Sequence, residues 1–169
     1  ARENDLFIVC GEIYTHIVYN GFDTLHLSEV IGDTCALVMR GVSKEFPWPG
    51  SRCGWLEVLN RDKDETFDTY VSSILAAKRL EVCSTTAPQF VIPRVMGDQR
   101  YPEHLKQRAA IYNSRAQEAH SILRDIDGVQ VNCPSGAFYM TIMFEDGALT
   151  KNQTLEIENS AVREMVEQL

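Results

Sequence analysis

The chain has 169 residues, a net charge of −8, 44% hydrophobic and 24% charged residues, a balance that suits a globular domain with a real core and argues against general nucleic-acid binding, whose footprint is basic. No window of about 18 apolar residues offers a membrane span, and the polar opening Ala1-Arg2-Glu3-Asn4-Asp5 before a short apolar run is not expected to be a secretory signal. Cys10, Cys35, Cys53, Cys83 and Cys133 are odd in number and lack a C-x-x-C spacing, so they read as buried thiols of a reducing compartment, with no metal site expected.

The first predicted element is the apolar run Leu6-Phe7-Ile8-Val9-Cys10, which ends in Gly11-Glu12-Ile13-Tyr14 and is followed by Tyr19-Asn20-Gly21. A second run, Cys35-Ala36-Leu37-Val38-Met39, leads into a loop from Val42 to Trp55, and Arg52-Cys53-Gly54-Trp55-Leu56-Glu57-Val58 reads as a third. Three short buried strands are expected, each with polar residues at its end.

The loop after the second run is the most informative stretch. It sets Lys44 and Arg52 on either side of Pro47, Pro49 and Gly50, residues that stiffen a turn or let it bend sharply. A lysine in a partly desolvated pocket or beside another cation can lose its proton near neutral pH and attack a carbonyl to form an imine. An arginine offers phosphate oxygens a planar fork of donors. The loop can therefore present an amine and a guanidinium to one small phosphorylated ligand; on residue types alone, two solvated surface charges are the competing reading. Trp48 suits either the lining of a substrate channel or a wedge holding the prolines against a neighbouring helix.

Beyond the third run the pattern turns helical. A charged, cap-like start at 62–65 precedes Phe67, Tyr70, Val71, Ile74, Leu75 and Leu80, and a second helix is predicted over 88–96. Gly97-Asp98 breaks the pattern and Tyr101-Pro102-Glu103 restarts it. From 103 to 125, Leu105, Ala109, Tyr112, Ala116, Ala119 and Leu123 share one face, opposite Lys106, Gln107, Arg108, Arg115, Glu118 and Arg124. Asp127-Gly128 ends this helix. Residues 129–131 and 137–143 read as a strand pair, and 154–169 as an amphipathic helix. His16 and His26 have no metal-ligand spacing and no triad partner, so each is expected to serve structure. Asn152 fits the glycosylation pattern only formally.

Four elements in order carry a resemblance: Gly11-Glu12-Ile13-Tyr14, Val42-Ser43-Lys44, Gly50-Ser51-Arg52-Cys53-Gly54 and Pro134-Ser135-Gly136-Ala137-Phe138-Tyr139-Met140. They resemble the class I/II pyridoxal-phosphate-dependent aminotransferases of fold type I, related to aspartate aminotransferase. The resemblance implies an α/β fold: an αβα large domain plus part of a small α+β domain. The expected division is 1–100 for the C-terminal part of the cofactor-binding large domain, 101–127 for a connecting long helix and 128–169 for part of the small domain. It implies pyridoxal 5'-phosphate as cofactor, with Lys44 as catalytic imine former and proton shuttle. Arg52 matches the phosphate-binding arginine, and Tyr14 the tyrosine that bonds the cofactor's phenolic oxygen. Amino acid and 2-oxo acid substrates, a homodimeric parent, a cytoplasmic location and no nucleic-acid or membrane partner follow from the same likeness.

Two positions depart from the pattern. The family has an aspartate immediately before Glu-Ile-Tyr, whose carboxylate keeps the pyridine nitrogen protonated, and this chain has Gly11 there. Glu12 is expected to be a poor substitute, because successive strand residues point to opposite faces. Gly41 stands where many relatives have a phosphate-binding serine, a milder loss since backbone N–H groups also bind phosphate. The glycine-rich phosphate cup, the ring-stacking aromatic and the carboxylate-binding arginine have no match, so the chain is expected to be an internal piece of an aminotransferase. The alternatives are an inactive homologue or fragment serving as an interaction module, and another fold-type I enzyme such as a lyase or decarboxylase.

Overall fold

The computed structural model describes residues 1–150 and 153. They divide into two compact units, one made of Ala1–Tyr112 with Ser135–Ala137, the other of Asn113–Pro134 with the segment that begins at Phe138.

The first unit is built on a three-stranded sheet. Strand β1 (Ile8–Gly11) pairs parallel with β2 (Ala36–Gly41), which pairs antiparallel with β3 (Gly54–Leu59). These are the three apolar runs, each entering the ladder slightly later than predicted. At β3 the cause is local: Arg52 takes a left-handed φ of 49° at the end of a single 3-10 turn, Pro49–Ser51, so extended backbone starts only at Gly54. There β2 and β3 approach so closely that a Cβ on Gly54 would lie 2.7 Å from the Arg40 carbonyl oxygen.

Cys35 and Leu37 alternate onto the same face of β2 and pack with Phe67 and Val71 of helix α2 (Glu65–Arg79), backed by Ile74. The spacing i, i+4, i+7 brings these three helix residues onto one stripe. The Asp64 side chain caps α2 by accepting from the Phe67 N–H at 2.6 Å, which satisfies one of the orphan donors at the helix start. Tyr70, Leu75 and Leu80, counted with the stripe by sequence, are exposed. Val9, Met39, Leu56 and Val58 also lie on this sheet face by register, outside the cover of α2, and remain exposed.

A four-residue helix α1 (Leu27–Val30), not foreseen from the sequence, joins β1 to β2, and α3 (Thr86–Met96) and α4 (Tyr101–Leu123) are the two further predicted helices. In the second unit β4 (Val129–Val131) pairs antiparallel with β5 (Ile142–Phe144). The strand predicted over 137–143 is therefore shorter and later. Ala137 has a left-handed φ of 54°, and its segment pairs elsewhere: Tyr19 N–H donates to Ser135 O at 2.9 Å and Ala137 N–H to Ile17 O at 2.8 Å.

All five cysteines are free thiols, but only Cys35 is buried, whereas Cys83 and Cys133 are exposed. The expectation of five buried thiols is corrected: Cys83 falls in the connection between α2 and α3, and Cys133 just past β4, where no neighbouring layer covers them. Among the described residues no helix is long and apolar enough to cross a membrane. The helix predicted over 154–169 and Asn152 lie outside the described residues.

Candidate functional site at one end of the sheet

Register decides which residues meet. Gly11 pairs with Met39 and Gly41 with Gly54, so the exits of β1 and β2 and the entry to β3 share one end of the sheet. Tyr14 lies just past β1, Lys44 just past β2 and Arg52 just before β3. The sequence-predicted trio therefore comes from three neighbouring strand ends within one unit. Lys44 and Tyr14 are half-buried and Arg52 is exposed. The Arg52 guanidinium Nη1 donates to Pro49 O at 2.7 Å, and its main-chain carbonyl accepts from Thr85 Oγ1 at 3.5 Å.

Trp48 lies on the side of α3, where the wedge reading puts it. With Val42 and Phe46 it faces Ile92, Val95 and Met96 of α3 across a narrow apolar gap, and its N–H donates to Val42 O at 3.1 Å. Packing against α3 holds the proline turn in place.

The two glycines that depart from the pattern have opposite surroundings. A Cβ on Gly11 would meet nothing nearer than Met39 Cε at 4.0 Å, whereas one on Gly41 would lie 3.2 Å from Cys53 O. Position 11 has room for a side chain; position 41 sits where the two strands nearly touch.

Glu12 is wholly committed elsewhere. Its Oε2 lies 2.8 Å from Arg40 Nη2 and 2.9 Å from His26 Nδ1, and its Oε1 accepts from the Leu27 N–H at 2.6 Å. Burial pushes this carboxyl's pKa up, but the His26 and Leu27 hydrogen bonds and the Arg40 charge outweigh it and hold it below the usual carboxylate value. Arg40 Nε in turn lies 2.8 Å from Glu57 Oε1.

A second carboxylate joins the segments of Tyr14 and Lys44. Glu45 Oε1 accepts from the His16 main-chain N–H, and Oε2 lies against His16 Nδ1, both at 2.8 Å. The bond to Glu45 raises the His16 pKa above 6.5; burial and the Arg40 charge oppose that rise without cancelling it. His16 and His26 are thus both paired to carboxylates, and their ring centroids are 6.1 Å apart. Sequence reasoning passed over Glu45 and Arg40. The only signal was adjacency, Glu45 following Lys44 and His16 lying near Tyr14.

The family described as aminotransferase class I and II matches residues 1–167. The chain is 51% identical over 167 residues to a protein of Methanocaldococcus jannaschii described as an uncharacterized aminotransferase, covering 99% of this chain and 39% of that one. It is 28% identical over 141 residues to a glutamate-pyruvate aminotransferase of Escherichia coli, covering 83% of this chain and 34% of the relative. Among solved structures, an alanine aminotransferase from Pyrococcus furiosus superposes with a TM-score of 0.76 at 25% identity, over 89% of this chain and 37% of that one. The chain thus spans well under half the length of these relatives.

Proposed function

Because the chain belongs to the class I and II aminotransferase family and carries part of the fold-type I α/β architecture, we propose that the full-length protein is a pyridoxal-phosphate-dependent aminotransferase. It moves an amino group between an amino acid and a 2-oxo acid in two half-reactions. The observation that carries this reading is the arrival of an amine, a guanidinium and a phenol, Lys44, Arg52 and Tyr14, at one end of one sheet. That donor set suits a phosphorylated carbonyl compound with a phenolic oxygen.

When bound, pyridoxal phosphate supplies a carbonyl for an amine and a ring that draws electrons from the substrate's α-carbon. Lys44 Nζ is the amine that holds it, and the same nitrogen moves the α-proton. The Arg52 guanidinium anchors the phosphate, and the Tyr14 hydroxyl donates to the phenolic oxygen. The wedge of Trp48 on α3 keeps the lysine loop from drifting. The end of β1 supplies no carboxylate for the ring nitrogen, since residue 11 is glycine and Glu12 is bound to Arg40, His26 and Leu27.

The same Gly11 favours a second reading, a catalytically weakened or inactive relative that retains binding. Reactions other than transamination, a lyase or decarboxylase, use the same lysine and have no distinguishing feature in this segment. A homodimer in the cytoplasm, and the division at 1–100, 101–127 and 128–169, remain part of the proposal; five free thiols support the cytoplasmic placement.

The test is an absorbance spectrum of the full-length protein with pyridoxal phosphate, before and after borohydride, with peptide mapping of the label. A shifted band trapped on Lys44 supports the assignment. Scattered labelling of surface lysines overturns it.

A further inference from the structure

Lys44 lies between β2 and β3, outside any strand or helix, and the residues just after it are tied down on two sides. Phe46 packs against the rings of Tyr101 and His104, with centroids 6.4 and 5.6 Å away. Glu45 reaches to His16 with both oxygens, one on the main-chain N–H and one on the imidazole, both at 2.8 Å. A carboxylate that holds a main-chain amide and a ring nitrogen of the same residue cannot rotate without breaking one of the two bonds. The Glu45 side chain is 13% exposed, so water competes weakly for it, while the 46% exposed imidazole keeps access to solvent protons. His16 is near Tyr14 in the chain and Glu45 is next to Lys44, so this contact sets the spacing between the two segments.

We propose that Glu45 is a positioning residue: through His16 it fixes the lysine loop relative to the Tyr14 turn, and it makes the reaction of Lys44 with pyridoxal phosphate depend on the charge of His16. This rests on the role given to Lys44 above. His16 faces Glu45, the His26 ring and the charge of Arg40, and Glu45 also acts on Tyr101, whose pKa burial and that negative charge raise. The main-chain N–H bond is indifferent to the charge of the ring, whereas the ring contact is an ion pair only while the imidazole is protonated. The loop is held most firmly below the His16 pKa and loosens as pH rises through it.

The experiment follows formation of the C=N bond at Lys44 Nζ, with loss of one water, in the full-length apoprotein. Wild type, Glu45→Gln, His16→Gln and the double variant are mixed with pyridoxal phosphate across about pH 5.5 to 9, trapped with borohydride and mapped, while the His16 ring is titrated by NMR. Wild type labels Lys44 and shows an inflection that coincides with the His16 titration. At the acid end Glu45→Gln slows labelling by about tenfold or more, the size of a lost hydrogen bond to a charged group. The inflection disappears in both single variants, and the double variant is no slower than either. His16 titrates above 6.5 in wild type and returns toward that value in Glu45→Gln.

If all four proteins label Lys44 at one rate with one pH profile, Glu45 has no positioning role and the cofactor assignment stands. If wild type does not label Lys44, the cofactor assignment fails and takes this proposal with it. Should Glu45→Gln not fold, His16→Gln decides alone, because it removes the titrating ring from the exposed side.

Discussion

Arg40 Nη2 lies 2.8 Å from Glu12 Oε2, with the two side chains 18% and 8% exposed. The pair bridges β2 to the exit of β1, and His26, Leu27 and Glu57 lie against its other atoms. Such a cluster is stable only when complete, because a charge left alone in a shielded site keeps its desolvation cost. Glu12→Ala is expected to destabilise the first unit by about 3–5 kcal/mol. The control is Asp68→Asn, which removes the exposed ion pair with Arg61 and is expected to cost under about 1 kcal/mol. Urea unfolding midpoints separate the two.

The same cluster sets an acid limit. The Glu12 carboxyl is held below its ordinary 4.5, so the stability it contributes is present above that value and is lost as pH falls through its lowered folded pKa. His16 works in the opposite direction. Raised above 6.5, it contributes fully below that value, and the contribution is lost as pH rises through its folded pKa. Thermal midpoints of Glu12→Gln are expected to fall less steeply on the acid side than those of wild type, and those of His16→Gln to lose a decline that wild type shows above pH 6.5. Parallel curves in both variants would remove either group from the pH dependence.

Gly54 tests how tightly β3 enters the sheet. A Cβ there would lie 2.7 Å from Arg40 O, and a backbone carbonyl next to the last pair of the β2–β3 ladder steps aside less readily than a flexible side chain would. Gly54→Ala is expected to cost about 1–3 kcal/mol, the range for forced overpacking. It should also disturb Arg40 and hence the Glu12 cluster. Gly50→Ala is the comparison, since nothing lies within 4 Å of a Cβ at that position. An equal effect of the two substitutions in chemical unfolding would show that the close approach is not limiting.

What was legible in the sequence follows the range of the interactions involved. The strands and α2 declare themselves through neighbouring residues: apolar runs, the Asp64 cap and the stripe of Phe67, Val71 and Ile74. The positions of Tyr14, Lys44 and Arg52 at strand ends were legible for the same reason. Helix α1 was not: it is a single turn, and although the Glu29 side chain accepts from the His26 N–H, the Leu27 N–H is satisfied by Glu12, just past β1 and far back in the chain. The early start expected for the strand over 137–143 was misplaced in the same way, since the pairing of Gly136 and Ala137 is with Ile17 and Val18, far away in the chain. The Glu45–His16 contact joins residues 29 positions apart, a link that no period or spacing reveals.

Gly11 is where sequence, structure and proposed chemistry bear on one atom. The family likeness calls for a carboxylate there, Glu12 cannot provide it, and a Cβ at position 11 has free space up to Met39 Cε at 4.0 Å. A Cβ can therefore be added at position 11 without a clash against β2. The charge of an aspartate there would stabilise a protonated ring nitrogen, and a single well-placed electrostatic partner is worth about 10²-fold in rate. Gly11→Asp in the full-length protein is expected to raise the transamination rate by about that factor while leaving the labelling of Lys44 by pyridoxal phosphate and borohydride unchanged, since bond formation at Nζ does not need the ring nitrogen's charge. A single-turnover assay with an amino acid, run beside the labelling, makes both measurements. Unchanged turnover with intact labelling would mean that the ring nitrogen is served from elsewhere in the protein, and that residue 11 does not set its rate.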